Sequence, residues 1–161
     1  MGLDLYIEAR ICEKSTGRII SCAELSDDGY FEVCYFRGYC FQSMGCEIAF
    51  TCLRNGGSTE DETYYYFPLT LLDKIYECIE ETDTLDGYEW KEVQVKRNLA
   101  ALEAFMKVLE QIENGDTIDK EYFNRNSTTG KKSFIISADN LESFIKHPSA
   151  YDISMRYIYS C

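Results

Sequence analysis

One histidine, His147, stands in the whole chain, next to Pro148. Any mechanism needing two imidazoles, such as a two-histidine phosphodiesterase or a multi-histidine metal centre, is therefore excluded. A Ser–His–Asp or Cys–His arrangement would have to run through this one residue. A cationic side chain at the end of a helical segment is already accounted for by the helix dipole, so a structural histidine is expected. The cysteines are Cys12, Cys22, Cys34, Cys40, Cys46, Cys52, Cys78 and Cys161. No two form a C-x-x-C pair, so the usual spacing of a zinc site or a thioredoxin-type motif is missing. Cys34, Cys40, Cys46 and Cys52 recur every six residues. Gly38 and Gly45 argue against one strand long enough to hold them on one face. They read as small buried hydrophobes in a reducing compartment. Gly130-Lys131-Lys132-Ser133 resembles the end of a phosphate-binding loop, but Arg125 stands where the first glycine belongs and Lys132 where Ser or Thr should follow Lys131. A basic surface turn is expected there. No catalytic residue, metal or cofactor is assigned.

What remains is charge and aromatic surface. The chain has 28 acidic against 16 basic side chains, a formal charge of −12, together with 13 Tyr and 9 Phe. That balance repels phosphate backbones and favours a cationic protein surface as partner. The aromatics supply rigid contact area of the kind interfaces use. Acidic clusters stand at Glu60-Asp61-Glu62 and at Glu77, Glu80, Glu81 and Asp83. Tyr64-Tyr65-Tyr66 reads as strand, and consecutive strand residues point to opposite faces, so at least one ring should be exposed or line a cleft. Tyr35-Phe36-Arg37 sets a guanidinium among aromatics, where it can pair with a carboxylate or stack. The candidate binding residues are Tyr35, Arg37, Glu60, Asp61, Glu62, Tyr64, Tyr65, Glu80, Glu81 and Asp83. Trp90, the sole tryptophan, is expected as a packing anchor.

These residues must be positioned by a domain of 161 residues, for which one domain over 1–161 is the default. Met1 to Arg10 carries Asp4 and Glu8 and alternates, unlike a signal peptide or a membrane span, so a cytoplasmic protein off the membrane is expected. Leu3, Leu5, Ile7, Ala9 and Ile11 alternate with polar neighbours, which predicts a half-buried strand. A turn at Ser15–Arg18 and a returning strand from Ile19 to Leu25 would make a hairpin. The stretch from Phe41 to Leu53 can be a helix with Met44, Ile48 and Leu53 inward, Asn55–Thr59 a loop, and Tyr64–Phe67 a strand. Pro68 suits the first turn of a helix carrying Leu72, Ile75, Tyr76 and Ile79. The longest helix is predicted over Glu89 to Glu113, with Val95, Leu99, Leu102, Met106 and Leu109 as its apolar stripe, joined by Phe105 and Ile112, and Asn114-Gly115 as its close. Ser127–Lys132 reads as a turn and Ser133–Ser137 as a short strand. Asp139 and Glu142 suggest a capping box for a helix ending at His147, and Tyr151–Tyr159 a final strand. The sum is an α+β fold: a small, mainly antiparallel sheet including both terminal strands, packed against three to four helices.

Met1-Gly2-Leu3-Asp4-Leu5-Tyr6 resembles the opening, M-G-L-D-M-Y-L, of a family of small uncharacterised bacteriophage and prophage proteins. Tyr35-Phe36-Arg37-Gly38 is similar to a Y-W-R-K segment of that family. The aromatic strand Tyr65-Tyr66-Phe67 before Leu71-Leu72, and the closing Tyr157-Ile158-Tyr159, extend the likeness. Where the family has a polar run after its Arg-Lys, this chain has Gly38-Tyr39-Cys40. The resemblance implies a mobile-element origin and carries no activity. The function expected is a non-catalytic acidic binding protein of mobile-element type, an inhibitor of a host defence effector acting in the host cytoplasm by occluding a basic surface. The alternatives are a small-molecule or nucleotide-signal binder using Arg37 and tyrosines, and an enzyme working through carboxylates or a Cys. A homodimer is compatible with the sequence, whereas direct nucleic-acid binding is disfavoured.

Overall fold

The computed structural model describes residues 2–21, 28–85, 89–124 and 135–161. A five-stranded antiparallel sheet forms from β1 (Asp4–Glu13), β2 (Phe31–Arg37), β3 (Ser58–Glu60), β4 (Tyr64–Phe67) and β5 (Tyr151–Ser160), in the order β2-β1-β5-β4-β3. Helices α1 (Gln42–Arg54), α2 (Leu72–Glu80), α3 (Glu89–Asn114) and α4 (Ala138–Lys146) complete the α+β fold among the described residues. Both terminal strands lie inside the sheet, as the alternation at the two ends of the chain predicts. Contacts gather the chain into two compact units, one of 1–8, 32–103 and 154–161, the other of 9–31 and 104–153.

In the first unit the buried side chains of the strands include Leu5, Ile7, Phe36, Tyr65, Phe67, Met155 and Tyr157, with Leu3 buried just before β1. Helix α1 crosses this face at Gly45, where an added Cβ would lie 3.0 Å from Leu5, Tyr157 and Tyr159. The Tyr157 hydroxyl donates to the Gly45 carbonyl at 2.9 Å, so the close approach also satisfies a buried phenol. Met44 and Ile48 point inward as expected, but Leu53 is 43% exposed, and Thr51 and Cys52 are the buried residues of the last turn. At 100° per residue, Cys52 and not Leu53 continues the line of Ile48. The loop expected over Asn55–Thr59 ends earlier, because Ser58 and Thr59 pair with Tyr66 and Tyr65 as β3. Pro68 precedes a single 3-10 turn, Leu69–Leu71, and α2 then buries Leu72, Ile75 and Ile79.

The β3–β4 hairpin turns at Asp61 and Glu62, both left-handed at φ 56 and 53, and closes with Thr63 N–H donating to Glu60 O at 3.2 Å. This φ pattern is that of a type I′ turn, which favours Asn-Gly over two acidic residues. The pair Asp61→Asn with Glu62→Gly is therefore expected to stabilise the protein by about 1 kcal/mol, readable as a higher urea midpoint with unchanged slope.

In the second unit an aromatic chain runs from Phe31 through Phe105, Tyr122, Phe123 and Phe144 to Tyr151, with neighbouring centroids 5.3 to 6.3 Å apart. The hairpin expected from Ile19 onward reduces to one bridge, Cys12 with Ile19. Beyond it the buried Ser21 hydroxyl takes over, accepting from Ile11 N–H at 2.8 Å and donating to Gly29 O at 2.6 Å. A polar side chain thus fills the place of a ladder bond, and the rest of that predicted strand falls largely outside the described residues. The predicted turn at 127–132 also lies outside them, as does the start of the strand at 133–137, of which Ile136 makes an isolated bridge to Ser21.

Helix α3 closes as predicted, in a Schellman arrangement: Gly115, at φ 71, bonds Ile112 O at 3.3 Å and Asp116 N–H bonds Gln111 O at 2.9 Å. Of its expected apolar residues Val95, Leu102 and Phe105 are buried and Leu99, Met106, Leu109 and Ile112 half-buried, while Lys91, Gln94, Asn98 and Val108, outside that set, are buried as well. Ser137, not Asp139, is the N-cap of α4 and makes no side-chain cap bond. Asp139 lies in the first turn and Glu142 pairs with Lys146 at 2.9 Å, so no capping box forms. His147 ends the helix on the surface, its N–H bonded to Ser143 O at 3.0 Å.

Candidate functional site

In the first unit, the strand residues that alternate with the buried ones share the opposite face of the sheet. β1 contributes Asp4, Tyr6 and Glu8, β2 contributes Tyr35, β5 contributes Arg156, and β4 contributes Tyr64 and Tyr66, all half-buried. The β4–β5 register, Tyr66 opposite Arg156 and Tyr64 opposite Ile158, fixes this side-by-side arrangement. Tyr6 stacks on Tyr35 at 4.7 Å between centroids, and the Tyr35 hydroxyl donates to Asp4 Oδ1 at 2.6 Å. Arg156 Nε donates to Glu8 Oε1 at 2.7 Å and its guanidinium lies 5.3 Å from the Tyr64 ring centroid. At the far side Tyr66 Oη donates to Glu60 Oε2 at 3.4 Å.

The electrostatics follow from this crowding. Burial, then the hydrogen bond and charge of Asp4, pushes the Tyr35 phenol far above its ordinary value. Burial raises Tyr6 as well, and the carboxylates of Asp4, Glu32 and Glu8 add to the effect. Phenols held neutral in this way are donors and ring faces, not nucleophiles. Ring faces interleaved with carboxylates suit an arriving guanidinium or ammonium, which gains a cation–π contact and a charge partner together. Arg156 already occupies such a place over Tyr64, matched by Glu8.

What holds Tyr35 in position is a feature missed in the sequence. Gln94 and Asn98, one helical turn apart on α3, reach the free edge of β2. Gln94 accepts from Arg37 N–H at 2.9 Å and donates to Arg37 O at 3.2 Å; Asn98 accepts from Tyr35 N–H at 2.9 Å and donates to Tyr35 O at 2.7 Å. Two side-chain amides thus take the place of a neighbouring strand at Tyr35 and Arg37, and that part of the edge is closed to pairing with another chain. The i, i+4 spacing of two amides was the available signal, since helix residues so spaced match alternate residues of a strand.

The expected binding residues divide. Tyr35 and Tyr64 stand on the tyrosine face, with Glu60 at its margin. Asp61 and Glu62 are exposed at the hairpin tip, and Arg37 is exposed at the end of β2. Tyr65 points to the opposite side, 7% exposed, with its ring 5.7 Å from that of Tyr157. Glu80, Glu81 and Asp83 are exposed at the C-terminal end of α2. Glu81 and Asp83 line a cleft of about 450 Å³ together with Cys40, Glu47, Cys78 and the buried Lys91; neither Arg37 nor a tyrosine lines it. In the second unit, Lys120, Asn124 and Lys146 line a cleft of about 440 Å³. Lys146, and to a lesser degree Lys120, lowers the Glu142 carboxyl there.

Among the described residues no group of three or more His, Cys, Asp or Glu side chains could hold a metal ion. No helix among them is long and apolar enough to cross a membrane. Cys34 is buried on β2, Cys46 exposed and Cys52 buried on α1, so the regular spacing of these thiols places them in different environments. Burial first, then the nearby Cys78, pushes the Cys52 thiol from the ordinary 9.0 up to about 12. The folded chain keeps that proton in a window where the unfolded chain releases it, so stability should fall as pH rises from 9.0 toward 12. Urea midpoints across that window should drop less steeply in Cys52→Val than in the parent.

Compared with known proteins, the chain matches no protein family, no curated protein and no solved structure.

Proposed function

We propose that this chain is a non-catalytic binding protein of mobile-element type that grips, and so occludes, a basic nucleic-acid-binding surface on a host defence effector. The observation that carries the proposal is the sheet face where Tyr6, Tyr35, Tyr64 and Tyr66 stand among Asp4, Glu8 and Glu60. A basic surface presents Arg and Lys side chains at intervals of a few ångströms, as a row of phosphates requires. Rings and carboxylates alternating across strands offer such side chains stacking and charge at once. The net charge of −12 steers the encounter from a distance, and the hairpin tip Glu60-Asp61-Glu62 extends the negative field past the edge of the sheet.

Stopped-flow association with a basic, nucleic-acid-binding effector tests the steering. The association rate should fall at least tenfold between about 10 mM and 300 mM salt, as the Debye length shrinks from roughly 30 Å toward 5 Å. Tyr64→Ala should accelerate dissociation, and Glu60→Lys should slow association. A rate flat across that salt range, with affinity indifferent to Tyr64, would show that the partner is not recognised this way.

A further inference from the structure

Helix α1 carries a second surface, separate from the tyrosine face. Its outward side presents Cys46, Phe50 and Leu53, spaced by four and three residues, so they form one line along the helix. Phe50 is 58% exposed and Leu53 43%, an unusual exposure for a phenylalanine and a leucine adjacent on a helix. Glu47 and Arg54 flank this line on one side, bridged to each other at 2.9 Å. The flank is thus negative toward the start of the helix and positive toward its end.

We propose that this side of α1 is a homodimer interface in which two copies of the helix pack antiparallel about a two-fold axis at Phe50. In a two-fold contact each residue meets a partner set by its distance from the axis, and the same flanks of the two helices face each other. Phe50 then packs on Phe50 of the second copy, and Cys46 lies opposite Leu53. Glu47 of each copy lies opposite Arg54 of the other, so the two intrahelical pairs become a four-charge ring of alternating sign. In a parallel pairing the two-fold axis runs along the helices and carries the Glu47–Arg54 flanks of the two copies to opposite sides of the contact, so only the antiparallel pairing brings Glu47 and Arg54 of different copies together. The occupant is a second copy because the polarity of the flank is complementary to itself reversed.

Sedimentation of the full chain from about 1 µM to several hundred µM tests the interface, the range expected where a few side chains per copy are buried. The parent should pass from monomer to dimer, and Phe50→Glu should remain a monomer with an unchanged circular dichroism spectrum. The decisive arm mixes two charge variants. Glu47→Arg makes the flank wholly positive and Arg54→Glu wholly negative, so each alone should dimerise at least tenfold more weakly than the parent. Mixed, they should form a heterodimer of about parental affinity, which no intrachain pair can explain because neither variant retains one. A parent that stays monomeric throughout, a dimer that survives Phe50→Glu, or charge variants that ignore each other on mixing would each overturn the proposal.

Discussion

Replacing Asn98 with leucine is expected to destabilise the protein by about 2–4 kcal/mol, although the two side chains are similar in size. Asn98 is only 4% exposed and makes three hydrogen bonds: with Tyr35 N–H at 2.9 Å, Tyr35 O at 2.7 Å and Gln94 O at 2.9 Å. Leucine would keep water out of the space while satisfying neither backbone group of Tyr35, so each is left with its desolvation cost, roughly 1–3 kcal/mol. Part of that cost is offset by burying the leucine itself. Asn98→Asp is a sharper control, because it keeps the acceptor and loses both donors. Gln94→Leu should act in the same direction, and the double substitution should cost less than the sum, since the first loss already loosens β2 from α3. Urea titrations of the four proteins measure both the magnitude and the coupling. Loss of the bracket also uncovers a strand edge, so the double variant should self-associate on a sizing column.

Gly38→Ala should cost a similar amount, about 2–4 kcal/mol, for two separable reasons. Gly38 has φ 122 and ψ 149, a conformation open almost only to glycine. A Cβ there would lie 2.4 Å from Cη2 of Trp90, whose ring crosses the glycine on its way to Phe41. The residue turns the chain from β2 into α1, with its N–H on Leu3 O at 2.8 Å and its O accepting from Phe41 N–H at 3.1 Å. Trp90 is the only tryptophan, so its emission should shift when the ring is displaced. In a Trp90→Leu background the clash is relieved and the backbone strain remains. Gly38→Ala should then cost about half as much, and an unchanged penalty would assign all of it to the backbone.

The two ends of the chain were readable in advance because their alternation is undisturbed: Leu3 to Ile11 and Tyr151 to Tyr159 place their apolar residues at intervals of two. The same was true of α3, where length and the Asn114-Gly115 close outweigh any competing pattern. β2 was not readable, since Val33 and Cys34 are both buried and break the alternation. The stripe of α3 was in part misjudged because Lys91, Gln94 and Asn98 are polar yet buried, and periodicity in apolar residues cannot register amides that satisfy a strand edge. Part of the candidate site was visible as Tyr35, Tyr64 and the marginal Glu60. Tyr6, Glu8 and Arg156 were hidden not by their types but by strand order: only the pairing of β5 with β4, and the Glu8–Arg156 bond, bring residues from both ends of the chain beside Tyr64. Tyr65, next in sequence to two residues of the face, lies behind it because a strand sends neighbours to opposite sides.

The most direct test of the tyrosine face is to record amide and side-chain chemical shifts of the labelled protein while titrating a short arginine-rich peptide at low salt. Saturable shifts should concentrate at Tyr6, Tyr35, Tyr64, Tyr66 and Arg156, with the Glu60–Glu62 tip next, and should fade as salt is raised. Shifts centred instead on Glu81, Asp83 and the α2 cleft, or spread evenly over every acidic residue, would contradict a binding role for that face.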